Sequence, residues 1–259
     1  MEHDLWLKMT QYTPLVEMIK PEHHNKFIKL EENIWLLKDF TSEEERKNYL
    51  DFVNTIEEEK WWEKNRNWWV GKYFPIGPEY EIENTAIKLR DNLRKLISED
   101  VSLGSFGSIH RLKEGFGMFL HTDNPSEKGR PLLEEDGQVV GTIEGHNNYC
   151  ILAVVTYLND FNGGEIYFPA LNFKYKGNAG DLLIFPGTGK EYDHGVKKVE
   201  AGPIRYITTA FGYDPRVEAL KAKNYVFEDV ETGELDTLEP NKAINNPEEA
   251  MKQPPRLVW

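Results

Sequence analysis

A chain of 259 residues and 30.2 kDa suits one domain with extensions, or two small ones, and can bury an ample core. Its formal net charge of −13, with no Lys/Arg block of five or more, argues against a surface that tracks a phosphate backbone, so no nucleic-acid partner is expected. Cys150 is the single cysteine, which excludes an internal disulfide or a cysteine zinc site and suits a reducing compartment. The opening residues lack a basic segment followed by an apolar one, and no stretch approaches the ~18 apolar residues of a membrane span, so a soluble, cytoplasmic protein without a membrane partner is expected.

Residues 1–32 have mixed composition and read as an N-terminal extension, although Asn25 to Asp39 alternates well enough for two strands around a Glu31-Glu32-Asn33 turn. Ser42 followed three positions later by Glu45 is a capping box. It opens a helix expected to run to about Lys60, with Tyr49, Phe52, Val53 and Ile56 as its apolar stripe. Trp61-Trp62 and Trp68-Trp69 follow; such a run either packs on a sheet or forms a platform for a peptide or another flat substrate. The spacing of Ile82, Ala86, Leu89, Leu93 and Leu96 predicts a second helix over Glu79 to Glu99.

Beyond Val101 the helical period disappears. Phe106 to Leu112, Met118 to Asp123, Tyr149 to Leu158, Glu165 to Phe168, Asp181 to Phe185 and Ile204 to Phe211 read as short strands punctuated by Gly, Pro and Asn. Two helices followed by many short strands predict an α+β fold whose body is an antiparallel β-sandwich or jelly roll, the helices being N-terminal supports. Residues 124–148 form a long polar connection, read as a hairpin or lid at the mouth of a site. Residues 214–259 are an acidic C-terminal extension, either a solvated tail or a segment that docks on a partner or covers the site. There is no internal repeat, and nothing in the pattern defines an oligomeric state.

Three short segments carry the chemistry. His121-Thr122-Asp123 is an H-x-D pair, His194 follows about seventy residues later, and Arg205 comes eleven residues after that. Side chains at i and i+2 of a strand share a face, so His121 and Asp123 can present an imidazole and a carboxylate together. With a distant second His they make the 2-His-1-carboxylate facial triad, which holds Fe(II) and leaves adjacent positions open. The fixed charge and planar fork of Arg205 suit bidentate capture of a carboxylate, as on a dicarboxylic cosubstrate such as 2-oxoglutarate. Taken singly these residues have ordinary readings as well: a surface His–Asp pair, a turn pair of Asp193 and His194, an Arg paired with a surface acid. His23, His24, His110 and His146 are set aside, because a lone His is more often structural or exposed than a ligand.

The order of motifs along the chain resembles the prolyl 4-hydroxylase branch of the Fe(II)/2-oxoglutarate dioxygenases. Asn33 to Glu45 (NIWLLKDFTSEEE) is similar to that family's entry strand and "F-L-S-x-x-E" helix start. Gly115 stands six residues before His121, as in the family's "Y-x-x-G" lead-in. Tyr157-Leu158-Asn159-Asp160 with Gly163-Gly164-Glu165 and Phe168 resembles "Y-L-N…G-G-E-T-x-F". Gly180 to Phe185 resembles "G-x-A-L-x-F", and His194 with Gly202 and Arg205 resembles "H-x-G-x-P-V-x-x-G-x-K/R". The likeness covers residues 33–213, so it implies a double-stranded β-helix domain over that range. It also implies His121, Asp123 and His194 as iron ligands, and Arg205 as the salt-bridge partner of the 2-oxoglutarate C5 carboxylate. Tyr157 would hydrogen-bond the same carboxylate, and Phe211 stands where some relatives have a tryptophan near the iron. Two positions depart from the pattern: Leu112 replaces the lead-in tyrosine, and the anchor is Arg rather than Lys.

By resemblance the reaction couples oxidation of 2-oxoglutarate by O2, with release of succinate and CO2, to hydroxylation of an unactivated C–H bond, ascorbate assisting. A carboxylate at Asp123 implies hydroxylation rather than halogenation. The implied substrate is a prolyl residue of a peptide or protein; a free amino acid or other small molecule is the alternative. Nucleic-acid dealkylation is disfavoured, since the second arginine of that sister branch is missing from Arg205 to Phe211. A non-catalytic jelly-roll binding module and a zinc hydrolase are the competing classes.

Overall fold

In the computed structural model residues 14–63, 72–123, 131–134, 136–142 and 150–213 are described. Three α-helices fall in this range: α1 (Leu15–Met18), α2 (Glu43–Val53) and α3 (Ile82–Arg94). The strands are β1 (Ile28–Glu31), β2 (Ile34–Leu37), β3 (Trp62–Glu63), β4 (Lys72–Pro75), β5 (Ser102–Leu103), β6 (Ser108–Leu112), β7 (Met118–His121), β8 (Pro131–Leu133) and β9 (Val139–Thr142). They continue with β10 (Cys150–Tyr157), β11 (Ile166–Phe168), β12 (Phe173–Tyr175), β13 (Leu182–Pro186), β14 (His194–Val196) and β15 (Arg205–Tyr213).

Two antiparallel sheets form the body. The larger runs β1-β2-β13-β10-β15-β6-β4-β3 with β5 added on β15, and the smaller runs β12-β11-β14-β7. Alternation along the central strands assigns their faces. Leu152 and Val154 of β10, Leu182 and Ile184 of β13, Ile109 of β6 and Ala210 of β15 pack on Tyr49 and Val53 of α2 and on Ile82, Ala86, Leu89 and Leu93 of α3. The intervening residues Ala153, Val155, Tyr157, Leu183, Phe185 and Ile207 face the smaller sheet through Ile166 and Phe168. All eight residues of β10 are buried, because helices cover one face and a sheet the other. This is the double-stranded β-helix with supporting helices that the motif order implied.

Ser42 caps α2 as anticipated: its Oγ accepts from the Glu45 N–H at 3.2 Å, and the Glu45 carboxylate accepts from the Ser42 N–H at 2.8 Å. The helix stops at Val53 instead of reaching Lys60. Both the N–H and the hydroxyl of Thr55 donate to the Phe52 carbonyl, closing the last turn tightly and ending the ladder. Helix α3 is likewise shorter than 79–99, since Ile97 leaves it to bridge Ile19 and the Ser98 N–H bonds the Met18 carbonyl. Leu15, Met18 and Ile19 are buried and β1 pairs with β2 around Asn33, so residues 14–32, set apart above as an extension, contribute to this core. Trp61 is buried against Phe74 and Tyr206, with Arg111 over its ring. That is the packing role; Trp68-Trp69 and residues 214–259 lie outside the described residues. No described helix is long and apolar enough to cross a membrane.

Within 124–148 the described part is the β8–β9 hairpin. Leu132 packs on Leu120 and Tyr167, and Glu134 accepts a hydrogen bond from the Tyr167 hydroxyl at 2.9 Å. Leu120 and Tyr167 alternate with His121 and with the inward Ile166 and Phe168. The expected hairpin therefore exists, docked on the outer face of the smaller sheet.

Candidate metal and cosubstrate site

His121 ends β7 and His194 begins β14, and the two are paired directly across the smaller sheet. Their rings lie 4.3 Å apart, centroid to centroid. Asp123, two residues past His121, reaches between them: one oxygen is 4.0 Å from His121 Nε2 and the other 3.7 Å from His194 Nε2. One ligand-capable atom from each of the three lies within 4.8 Å of the others, and all three residues are buried. It is the one such cluster among the described residues. Two imidazole nitrogens and a carboxylate oxygen converging from one side suit a divalent first-row metal and leave the opposite side open.

The surroundings fix His194 as a neutral donor. Its Nδ1 hydrogen-bonds the Tyr192 carbonyl at 3.0 Å, which holds the tautomer that turns a bare Nε2 toward Asp123. Phe168 and Phe185 pack on the ring at 5.6 and 4.8 Å between centroids. Burial lowers its pKa to about 4, so the ring is unprotonated, as metal ligation requires. Gly195 is needed beside it, because a Cβ there would come within 2.5 Å of the Tyr167 ring.

Arg205 opens β15 and is 1 % exposed. It shares a strand face with Ile207, Thr209 and Phe211, and Ile207 and Phe211 pack in the inter-sheet cluster that includes Phe168 and Phe185, the two rings on His194. The Arg205 guanidinium lies 5.5 Å from the Tyr157 ring and 5.3 Å from Phe161. Gly164, at φ +64°, permits this path: a Cβ there would sit 3.1 Å from Arg205 Cδ. No carboxylate among the described residues is paired with it, and Arg205 Nε and Nη1 and the Tyr157 hydroxyl are buried without hydrogen-bond partners. Burial pushes the Tyr157 phenol up to about 12, the Arg205 charge partly opposing. A buried cation without an anion is costly. These donors therefore fit a carboxylate, and the triad fits Fe(II).

The structure thus brings together His121, Asp123 and His194, and places Arg205 and Tyr157 together on the same inter-sheet space. Leu112, opposite Arg205 in the β6–β15 pairing, is buried with Met118 and Val196 and offers no hydrogen bond. Ser108, His110 and Thr209, which the sequence reading did not single out for the site, hydrogen-bond one another on the strand face that also carries Leu112 and Ile207. The alternation Ser108-x-His110-x-Leu112 was the available signal.

No family model matches the chain, and no curated protein matches it in sequence. Solved structures do. A prolyl hydroxylase from Trichoplax adhaerens, in complex with a hypoxia inducible factor oxygen degradation domain peptide fragment, superposes with a TM-score of 0.54 at 16 % identity, over 83 % of this chain and 95 % of that one. A Pseudomonas putida prolyl-4-hydroxylase superposes with a TM-score of 0.50 at 15 % identity, over 70 % of this chain and 92 % of that one. Helices on one face and paired antiparallel sheets agree with this likeness, and the chain has the double-stranded β-helix fold of the prolyl 4-hydroxylases.

Proposed function

We propose that the protein is an Fe(II)- and 2-oxoglutarate-dependent dioxygenase that hydroxylates an unactivated C–H bond, with a prolyl residue of a peptide or protein as its substrate. The observation that carries this is Arg205: a fully buried guanidinium without an anionic partner among the described residues, on the inter-sheet face that also carries the rings packed on His194. A metal site alone does not need that charge. A dicarboxylate spanning from Arg205 to the metal does.

In this reading His121, Asp123 and His194 hold the iron from one side. Arg205 and Tyr157 bind the far carboxylate of 2-oxoglutarate, the guanidinium by charge and the phenol by a hydrogen bond. Phe161, Phe168 and Phe185 exclude water from the chamber, which strengthens both contacts. Iron held there would, with 2-oxoglutarate and O2, supply the oxidising power, one oxygen atom ending in the succinate that forms as CO2 leaves and the other in the substrate's new hydroxyl. The prolyl assignment is supported by the motif order and by the two prolyl hydroxylase folds. A small-molecule substrate remains the alternative for the same site. A zinc hydrolase leaves Arg205 unexplained, and a binding module leaves both Arg205 and the triad without a purpose.

The test is an anaerobic visible spectrum of protein with Fe(II) and 2-oxoglutarate, beside His194→Ala and Arg205→Ala. Chelation of Fe(II) by the keto acid gives a weak charge-transfer band. A band in wild type, lost in His194→Ala and weakened in Arg205→Ala, supports the reading; succinate release with proline-containing peptides, with and without ascorbate, then addresses the substrate. A folded, metal-loaded protein without the band refutes it.

A further inference from the structure

The turn that leads into His194 is short. Lys190–Tyr192 form a single 3-10 turn between β13 and β14, closed by the Tyr192 N–H on the Gly189 carbonyl at 2.9 Å and the Asp193 N–H on the Lys190 carbonyl at 3.4 Å. Gly189 stands at φ +104°, a backbone state that residues with a Cβ rarely adopt. Such a turn has few bonds of its own to hold its peptide groups, yet the Tyr192 carbonyl is the partner of His194 Nδ1. A carbonyl can only accept, so Nδ1 donates, and the aim of Nε2 follows the placement of Tyr192.

That placement reaches across the fold to Asn33. The Tyr192 ring is buried in the inter-sheet cluster that includes Ile34, and its hydroxyl oxygen accepts from Asn33 Nδ2 at 3.3 Å. The other end of the same amide is engaged as well: Asn33 Oδ1 accepts the Leu15 N–H at 3.0 Å, one of the donors that the first turn of α1 leaves without a partner inside the helix. A backbone N–H can only donate, so this bond fixes which way the amide points and turns its NH2 toward Tyr192. Asn33 stands in the left-handed region at φ 54° between β1 and β2, where asparagine is tolerated more readily than most residues with a side chain. An asparagine in such a turn commonly bonds its own backbone nearby. Both bonds of Asn33 instead reach far along the chain, over 18 and 159 positions.

We propose that Asn33 is a positioning residue for the metal site, acting through Tyr192 on His194. The connection runs from the Leu15 N–H to the Asn33 amide, from the amide to the Tyr192 hydroxyl, through the ring to the Tyr192 backbone, and from the Tyr192 carbonyl to the His194 imidazole. It makes residues 14–33 part of the device that aims a metal ligand, beyond their share in the core. A ligand held from behind keeps its lone pair on the metal position before the metal arrives, so less has to be ordered on binding. The inference rests on the reading of His121, Asp123 and His194 as a metal site, and it requires no particular cosubstrate or substrate.

The experiment is equilibrium titration of Co(II), followed by its visible d–d absorption, into the metal-free full chain of wild type, Tyr192→Phe, Asn33→Gly and the double variant. Ser42→Ala, which weakens a remote helix cap, controls for stability alone. Tyr192→Phe removes the hydroxyl and keeps the ring and carbonyl; Asn33→Gly keeps the left-handed turn and removes the amide. Loss of one hydrogen bond behind the ligand is expected to weaken Co(II) binding about threefold to tenfold in each single variant. The double variant should bind no more weakly than Asn33→Gly, because both changes break one connection, and Ser42→Ala should keep wild-type affinity. If Asn33→Gly does not fold, Tyr192→Phe against Ser42→Ala decides alone. Wild-type affinity in Tyr192→Phe, losses that multiply in the double variant, or an equal loss in Ser42→Ala each overturns the positioning role and leaves the metal site standing. Absence of Co(II) binding by wild type overturns both.

Discussion

Replacing Arg205 by methionine is expected to stabilise the ligand-free protein while removing its response to 2-oxoglutarate. The guanidinium is 1 % exposed, and burying an ion of this kind costs several kcal/mol after relaxation. Among the described residues its compensation comes from the rings of Tyr157 and Phe161, at 5.5 and 5.3 Å, and from the Tyr157 hydroxyl, the rings together about 2 kcal/mol for a desolvated cation. Methionine fills most of the same volume without charge, so the net gain is about 1–3 kcal/mol, or roughly 3–8 °C in melting temperature for a domain of this size. Wild type with Fe(II) and 2-oxoglutarate at about a hundred times its Kd gains about 2.7 kcal/mol; the variant gains nothing from the dicarboxylate. Paired thermal melts with and without ligand, under anaerobic conditions, measure both effects. A ligand-free Arg205→Met that is less stable than wild type by about 3 kcal/mol or more is the signature of breaking a buried pair. It would mean that Arg205 is already paired within the protein and refute the argument for an anionic ligand.

Asp123→Ala should lose tight Fe(II) or Co(II) binding in equilibrium dialysis, since two imidazoles alone leave the carboxylate position empty; undiminished affinity would remove Asp123 from the ligand set. For the metal-free protein, His194 is held neutral down to about pH 4 against 6.5 in a free side chain. As pH falls through that window the unfolded chain takes up a proton that the folded one refuses, so stability is full above about pH 6.5 and declines toward pH 4, by up to about 3 kcal/mol. Urea midpoints across the window should show this slope in wild type and a shallower one in His194→Gln; parallel profiles contradict it. Burial raises the Cys150 thiol well above its ordinary value, so a thiol reagent at mildly alkaline pH should react only after denaturation. Ser42→Ala removes the side-chain arm of the α2 cap and keeps the backbone N–H arm to Glu45, and should cost about 1 kcal/mol in urea unfolding, with no change in 2-oxoglutarate affinity.

What the sequence made legible was local or ordered. The capping box at Ser42, the apolar run of β10 and the H-x-D pair are each contained in a few residues, and their local physics matches their final state. His194 was reachable because its motif follows the others in order, although its pairing opposite His121 is a long-range fact. The end of α2 was misplaced because the apolar stripe continues to Ile56, which packs on the same core, while the Thr55 hydrogen bonds to Phe52 have no counterpart in a hydrophobic pattern. The hairpin of residues 131–142 was legible, but its docking side depends on Leu132 meeting Leu120 and Tyr167, residues on two other strands. His110 is the clearest case. Its strand and the alternation Ser108-His110-Leu112 could be read directly, yet whether that face looks into the chamber is decided by pairing with β15 about a hundred residues away. A histidine judged alone is most often structural, and here its partners are the Ser108 hydroxyl of its own strand and the Thr209 hydroxyl and Tyr73 ring of neighbouring strands. Side chains that hold a metal leave a motif because their spacing is constrained along the chain; side chains that line the space beside it are constrained only across strands, and alternation marks them without saying on which side they fall.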